Sequence, residues 1–329
     1  MTYRIRRNNN TDTPLPPEEP AGQNPPDGAM IDYWLSSGAS GTVVLEIRDD
    51  AGNLVRRFSS ADKPEHINEK ELNVPTYWLR PARTLSAAPG MHRFIWDLTY
   101  PAPDVLSRDY PISAVYRDTP LYPLGATVLP GQYKAVLTSA GGKSETQSLT
   151  IRMDPRVKTS ADDLHRQFEL DRKISDALHR DYQAIQQVRS LRAQLKSVTE
   201  HKPSPEIAAK VADLEAQAAV IEGVDGAQFL STPEGCSLVR LNSGLGTVLS
   251  ALDSADAAPT MQQSATFADL EKALNAQLAA WEQMKAKEVA ELNSQLSKAG
   301  LPVIDVHKWA AGSADTAQTS SQDRDKDLE

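Results

Sequence analysis

The stretch MIDYWLSSGASGTVVLEIRDDAGNLVRRF, Met30 to Phe58, decides how the first half of the chain is read. Three runs, Met30–Leu35, Thr42–Arg48 and Leu54–Phe58, are separated by a Ser/Gly turn and by Asp-Asp-Ala-Gly-Asn. In the middle run Val43, Leu45 and Ile47 share one face, while Val44, Glu46 and Arg48 share the other. A period of two is that of a strand with one side in a core. Gly52-Asn53 supplies residues that tolerate positive φ, so the second turn closes a hairpin. Two hairpins in succession predict the seed of a β-sandwich.

Outward from this stretch, the chain up to Asp27 divides in two. Tyr3-Arg4-Ile5-Arg6 alternates like a strand but has no obvious partner nearby. Asn8 to Asp27 carries Pro14, Pro16, Pro17, Pro20, Pro25 and Pro26, which remove backbone donors and favour an extended, solvated linker. An isolated strand before such a linker fits a ragged terminus, and equally a chain whose upstream part is missing.

Beyond Phe58 the all-β character continues to Asp154. Asn73–Leu79 and Gly90–Leu98 follow, the latter with His92, Phe94 and Trp96 on one face. Thr99–Leu129 is too long for a structureless loop and is expected to pack over the β domain. Pro130-Gly131 turns into Gln132–Ser139, and Gly141-Gly142 starts a last hairpin returning through Ser144–Met153. Seven or so short strands punctuated by Gly and Pro favour a sandwich over a closed barrel.

Composition bounds the rest. A chain of 329 residues suits one large or two medium domains, and 40% hydrophobic residues suffice for a core. The formal net charge of −9 argues against a nucleic-acid binder, and against docking on anionic lipid. No apolar run approaches the roughly 20 residues that span a bilayer. The N-terminal residues are basic but lack the apolar run of a secretory signal. The single cysteine, Cys236, excludes an internal disulfide and a thiolate zinc cluster. One cysteine fits cytosol and periplasm alike, so the compartment stays unassigned.

Three segments carry a resemblance to known proteins. Val43–Phe58, Gly-Met-His-Arg-Phe-Ile-Trp-Asp at Gly90–Asp97, and Leu-Pro-Gly-Gln-Tyr-x-x-x-Leu at Leu129–Leu137 occur in that order. Together they resemble the immunoglobulin-like modules related to the flagellar hook-capping protein. The proline-rich run Asn10–Ala29, with Met-Asp-Pro-Arg-Val at Met153–Val157, resembles the C-terminal region of bacterial sortilin-like, BNR-repeat proteins described as glycosyl hydrolase-like. That resemblance extends to about Pro302. It implies an exported parent family and a β-propeller, but no Ser-x-Asp-x-Gly-x-x-Trp repeat occurs here. No propeller residue is therefore carried over, and Tyr3–Arg7 would be what remains of the strand leaving the propeller.

After Asp154-Pro155 the apolar period becomes helical. Thr159-Ser160-Ala161-Asp162-Asp163 places hydroxyls before acids, a helix start that suits the helix dipole. Leu164, Phe168, Ile174, Leu178, Ile185, Val188, Leu191 and Leu195 continue this helix to His201-Lys202-Pro203. Ser204-Pro205 caps a second, in which Ile207, Val211, Leu214, Ala218 and Ile221 trace a heptad seam. Gly223–Gly226 breaks the chain, Thr232-Pro233-Glu234 opens a third helix, and Thr260 with Gln263 caps a fourth. Phe267, Leu270, Leu274, Leu278, Trp281, Leu292 and Leu296 line the fourth, which Gly300 and Pro302 stop. A long antiparallel pair flanked by two short helices is one arrangement that fits. The polar tail from Asp305 on cannot bury enough apolar area to offset its ordering entropy, Trp309 being the one residue suited to docking.

The residues offer little catalytic chemistry. Among His66, His92, His165, His179, His201 and His307, no pair has the i, i+4 spacing of a helical metal site. Asp49-Asp50 and Asp162-Asp163 are explained by a turn and a helix start. A glycosidase needs two carboxylates facing each other across a cleft. Trp78, Trp96, Tyr100 and Tyr110 are the aromatics suited to sugar or partner contact, against the plainer reading of core and loop anchors. Cys236 has no recognisable histidine partner, and Ser243-Gly244-Leu245-Gly246 lacks a phosphate-loop lysine. No catalytic, cofactor or metal residue is assigned.

The expectation is thus an α+β chain of several parts. Residues 1–27 form an isolated strand and proline-rich linker, 28–154 an immunoglobulin-like β-sandwich, 158–302 an antiparallel α-helical bundle or coiled coil, and 303–329 a disordered tail. The functional expectation is a non-catalytic accessory module for a propeller or protein partner, with carbohydrate as a further ligand. The alternative is a part of a glycoside hydrolase whose catalytic propeller lies outside this chain.

Overall fold

A computed structural model describes residues 2–6, 18, 20, 22, 26–37, 41–64, 67–69, 72–112, 116–139, 141–223 and 236–307. Most of the proline-rich linker, His66, the helix start at Thr232–Glu234, Trp309 and the tail from 308 on lie outside the described residues. The chain forms two units. One comprises Met1–Ala102, Arg108–Glu169 and Ala255–Ala258; the other comprises Pro103–Ser107, Leu170–Ser254 and Pro259–Glu329.

Among the described residues of the first unit, seven strands make two sheets. They are β1 (Thr2–Arg4), β2 (Ala29–Leu35), β3 (Val44–Asp49), β4 (Leu54–Ser59), β5 (Gly90–Trp96), β6 (Gly131–Thr138) and β7 (Ser144–Met153). A curled mixed sheet has the order β1-β7-β6-β3-β4, and β2 pairs with β5 as a separate two-stranded ribbon. The expected immunoglobulin-like sandwich followed by a bundle or coiled coil is therefore corrected: the fold is α+β, built on a five-stranded curled sheet and a ribbon.

The hairpin that was expected between Met30–Leu35 and the next run does not form. β2 pairs instead with β5, from Ala29 opposite Trp96 to Leu35 opposite Gly90. Alternation specifies which face a strand buries, and says nothing of which strand lies beside it. The second hairpin does form. β3 and β4 pair antiparallel, Asp49 Oδ1 accepts from Asn53 N at 2.8 Å, and Gly52 adopts φ +89°. Val43, Leu45 and Ile47 are buried, as their period of two requires. They share a core with Tyr33, Phe94, Trp96, Val128, Tyr133 and Ile151. Gly28 is dictated twice over: it sits at φ +120°, and a Cβ there would lie 2.1 Å from Trp96 O.

The N-terminal strand finds a partner far along the sequence. β1 pairs in parallel with Ile151–Met153 of β7. Arg4, buried beside it, donates to Asp256 Oδ1 at 2.7 Å and to Val128 O at 3.3 Å. Arg6 joins the same carboxylate at 3.2 Å. Asp256 is also fixed through its backbone, whose carbonyl accepts from Thr159 Oγ1 at 2.5 Å.

The second unit is helical: α1 (Ala161–Glu200), whose first residues up to Glu169 belong to the first unit, then α2 (Pro205–Glu222), α3 (Leu238–Leu252), α4 (Met261–Met284) and α5 (Ala290–Lys298). Ser204 caps α2 by accepting from Ile207 N, and Thr260 with Gln263 makes a capping box on α4. Two features depart from a coiled coil. α1 buries Ala177 beside Leu178 and Ala184 beside Ile185, a stripe wider than an a/d seam. Between α4 and α5 runs a π turn, Lys285–Val289. Buried positions step from Trp281 to Met284, then by five to Val289, then to Leu292 and Leu296. The wider turn returns the stripe to one face after a spacing that α-geometry alone would rotate away. No helix among the described residues is long and apolar enough to cross a membrane.

Candidate functional site

The β-rich unit holds a cavity of about 230 Å³ whose wall carries four arginines, Arg56, Arg80, Arg83 and Arg108, and one carboxylate, Asp97. Each comes from a different local device. Arg56 and Phe58 are i and i+2 on β4, hence on the same face. Ile95 lies on β5 between the buried Phe94 and Trp96, so the same alternation sends it to the opposite side, where it lines the cavity. Thr76–Trp78 forms a 3₁₀ turn, and Arg80 N then donates to Thr119 O at 2.9 Å, leading Arg80 to Arg83 along the wall. Arg108 and Tyr110 flank Asp109, which pairs with Tyr122 in an isolated bridge.

The guanidinium groups are held mainly by carbonyls. Arg56 donates to Tyr100 O and stands 5.3 Å from the Phe58 ring centre. Arg83 donates to Ile95 O at 3.3 Å, and Arg108 to Leu121 O at 3.4 Å. Arg80 is ion-paired with Asp118 at 3.0 Å. Among the described residues neither Arg56 nor Arg83 is in an ion pair. Asp97 accepts from Thr99 Oγ1 at 2.9 Å.

The electrostatics follow from this crowding. Burial depresses the basicity of Arg56; Arg108 adds to the effect and Asp97 opposes it. Burial also depresses Arg83, with Arg80 adding to it and Asp97, Asp118 and Asp27 opposing. Arginine does not give up its proton within any ordinary range, so both remain cations. The cavity thus concentrates positive charge, and what it can do chemically is receive an anion.

Of the four aromatics singled out in the sequence, only Tyr110 lines this cavity. Trp96 is fully buried in the core, its indole N–H donating to Thr99 O at 3.1 Å and its ring meeting Tyr133 edge-on. Tyr100 packs on Phe168 at 5.5 Å and contributes its carbonyl to Arg56. Trp78 is half-buried against Tyr77. The four arginines escaped the sequence reading, scattered as they are from Arg56 to Arg108 in a chain whose net charge is −9. The pair in Arg80-Pro81-Ala82-Arg83 was the one local signal.

The helical unit contains a contrasting polar site. Asp181 of α1 is fully buried, and its Oδ2 accepts from Asn242 Nδ2 of α3 at 2.9 Å. Asn242 Oδ1 in turn accepts from Leu106 N at 3.1 Å. Oδ1 of Asp181 has no hydrogen-bond partner among the described residues. Burial pushes this carboxyl up to about 7, against the lowering effect of the Asn242 hydrogen bond. Nearer the surface, His179 Nδ1 lies 2.6 Å from Asp104 Oδ2. Cys236 is buried. Among the described residues no group of three or more His, Cys, Asp or Glu is placed to hold a metal ion.

No family model matches this chain, and no curated protein matches it.

Proposed function

We propose that the chain is a non-catalytic interaction module, one that recognises rather than transforms what it binds. The observation that carries this reading is the make-up of the cavity wall, four arginines to one carboxylate, with no second acid, histidine or cysteine among the described residues that line it. Hydrolysis of a glycoside by paired carboxylates needs two of them about 5–10 Å apart across the scissile bond. A cluster of fixed cations supplies binding and orientation instead. The resemblance of the proline-rich run Asn10–Ala29, with Met153–Val157, to the C-terminal region of propeller proteins points the same way, toward service to a propeller or a protein partner. The test is turnover by the isolated chain on a panel of aryl glycosides. We expect none above buffer. Turnover that is lost in Asp97→Asn would sink the reading, because it would make Asp97 an acid–base or nucleophilic residue.

A further inference from the structure

We propose that the arginine-lined cavity is a binding subsite for the carboxylate of a small organic acid, the guanidinium groups holding the anion and the apolar wall holding its body. This rests on the module reading above and names the ligand class. Three observations carry it. The first is charge: Arg56, Arg80, Arg83 and Arg108 face a space in which Asp97 is the single lining carboxylate among the described residues. Arg80 already has Asp118, while Arg56 and Arg83 make hydrogen bonds to backbone carbonyls and stand in no ion pair among the described residues, with Asp97 near both. Half-buried cations of this kind are stabilised by a counter-charge brought from outside.

The second is size. The cavity measures about 230 Å³. That is below the roughly 300–1,000 Å³ of pockets enclosing drug-sized ligands. One acid on a compact body fits this space. The third is the wall, where Phe58, Ile67, Ile95 and Leu124 stand among the arginines. An inorganic oxyanion would leave those apolar surfaces facing water, whereas an organic acid covers them while its carboxylate meets the forked donors.

Benzoate is a probe of suitable size and chemistry. Thermal unfolding and NMR titration of the full chain would compare benzoate with benzamide, its neutral counterpart, and with inorganic phosphate. Benzoate should raise Tm and perturb resonances of cavity residues, with benzamide and phosphate at least about tenfold weaker. Added salt should weaken benzoate. Arg83→Met should reduce benzoate affinity about tenfold or more, and Arg83→Lys should retain part of it. Should Arg83→Met not fold, the benzoate and benzamide pair on the unaltered chain decides alone. Equal binding of benzamide overturns the assignment, because the charge would not be read. Phosphate binding as tight as benzoate overturns the organic-acid class. No benzoate response up to about 10 mM overturns the site itself. That last result leaves the non-catalytic reading standing, while glycoside turnover would remove that reading and leave a benzoate site untouched.

Discussion

The two units bury charge in opposite ways. In the β-rich unit, arginines stand around a cavity and cannot discharge themselves. In the helical unit, Asp181 lies in the core with one amide donor and escapes its charge by holding a proton up to about 7. Between these extremes sits Arg4 with Asp256, where cation and anion are buried together at 2.7 Å. The difference teaches that a buried acid can be satisfied by the solvent's protons, whereas a buried arginine calls for an anion. One arrangement produces pH dependence and the other produces affinity.

The sharpest way to break the comparison is to remove the charge on Asp181. The unfolded chain releases this proton near 3.8 and the folded chain near 7, so the folded state binds more protons between those values. Stability from this group is therefore present below about 3.8 and is lost as pH rises toward 7 and just beyond. Asp181→Asn should match the parent near pH 4 and exceed it by up to about 4 kcal/mol at pH 8. Urea unfolding at the two pH values measures this. A variant equally displaced at both would show that Asp181 does not titrate within the fold.

Arg4→Met tests the paired case. It leaves Asp256 buried with Arg6 beside it, and should destabilise by about 3 kcal/mol at neutral pH. An unchanged urea midpoint would show that β1 adds nothing to the fold. Asn242→Ala removes both the donor to Asp181 and the acceptor for Leu106 N, at a cost of about 1–3 kcal/mol. It should also move the titration of Asp181 upward, since the lost hydrogen bond favoured the ionised form. A downward move in the pH–stability profile would contradict the pairing.

In the cavity the sign reverses. Arg83→Met removes a half-buried cation and supplies an apolar stem of similar length, so in the absence of ligand it should be neutral or stabilising by about 1 kcal/mol. A clear drop in Tm would mean that the arginine is structural, and the contrast with Asp181 would narrow. Arg93→Ala serves as the smallest case. Its bidentate pair with Asp32 is exposed on the ribbon, and no change in Tm is expected.

Much of the local structure could be read from the residues. The alternation at Val43, Leu45 and Ile47, the turn at Asp49–Asn53, and the caps at Ser204 and Thr260 all depend on neighbours within a few positions. Strand partnership was legible only where a tight turn enforced it. Nearness in sequence suggests β3 as the partner of β2, yet β2 pairs with β5 some sixty residues on, between Asp32 and Arg93 for example. β1 looked solitary because its partner, β7, is almost the length of the whole β region away. The candidate site suffered most: its arginines lie on separate segments, and nothing in their spacing announces that they meet.

The residue order by itself determined the period-two and helical segments, the turns that join near neighbours, and an overall acidity. Those properties follow from φ/ψ preferences, capping and hydrophobic period, all of which act over a few residues. Only the tertiary structure decided that the strands divide into a curled five-stranded sheet and a ribbon. It alone gathered Arg56, Arg80, Arg83 and Arg108 around one cavity, and set Asp181 against Asn242. The reason is physical: pairing and burial are properties of surfaces brought together by the whole chain, and a charge acquires its meaning only when the water around it has been removed.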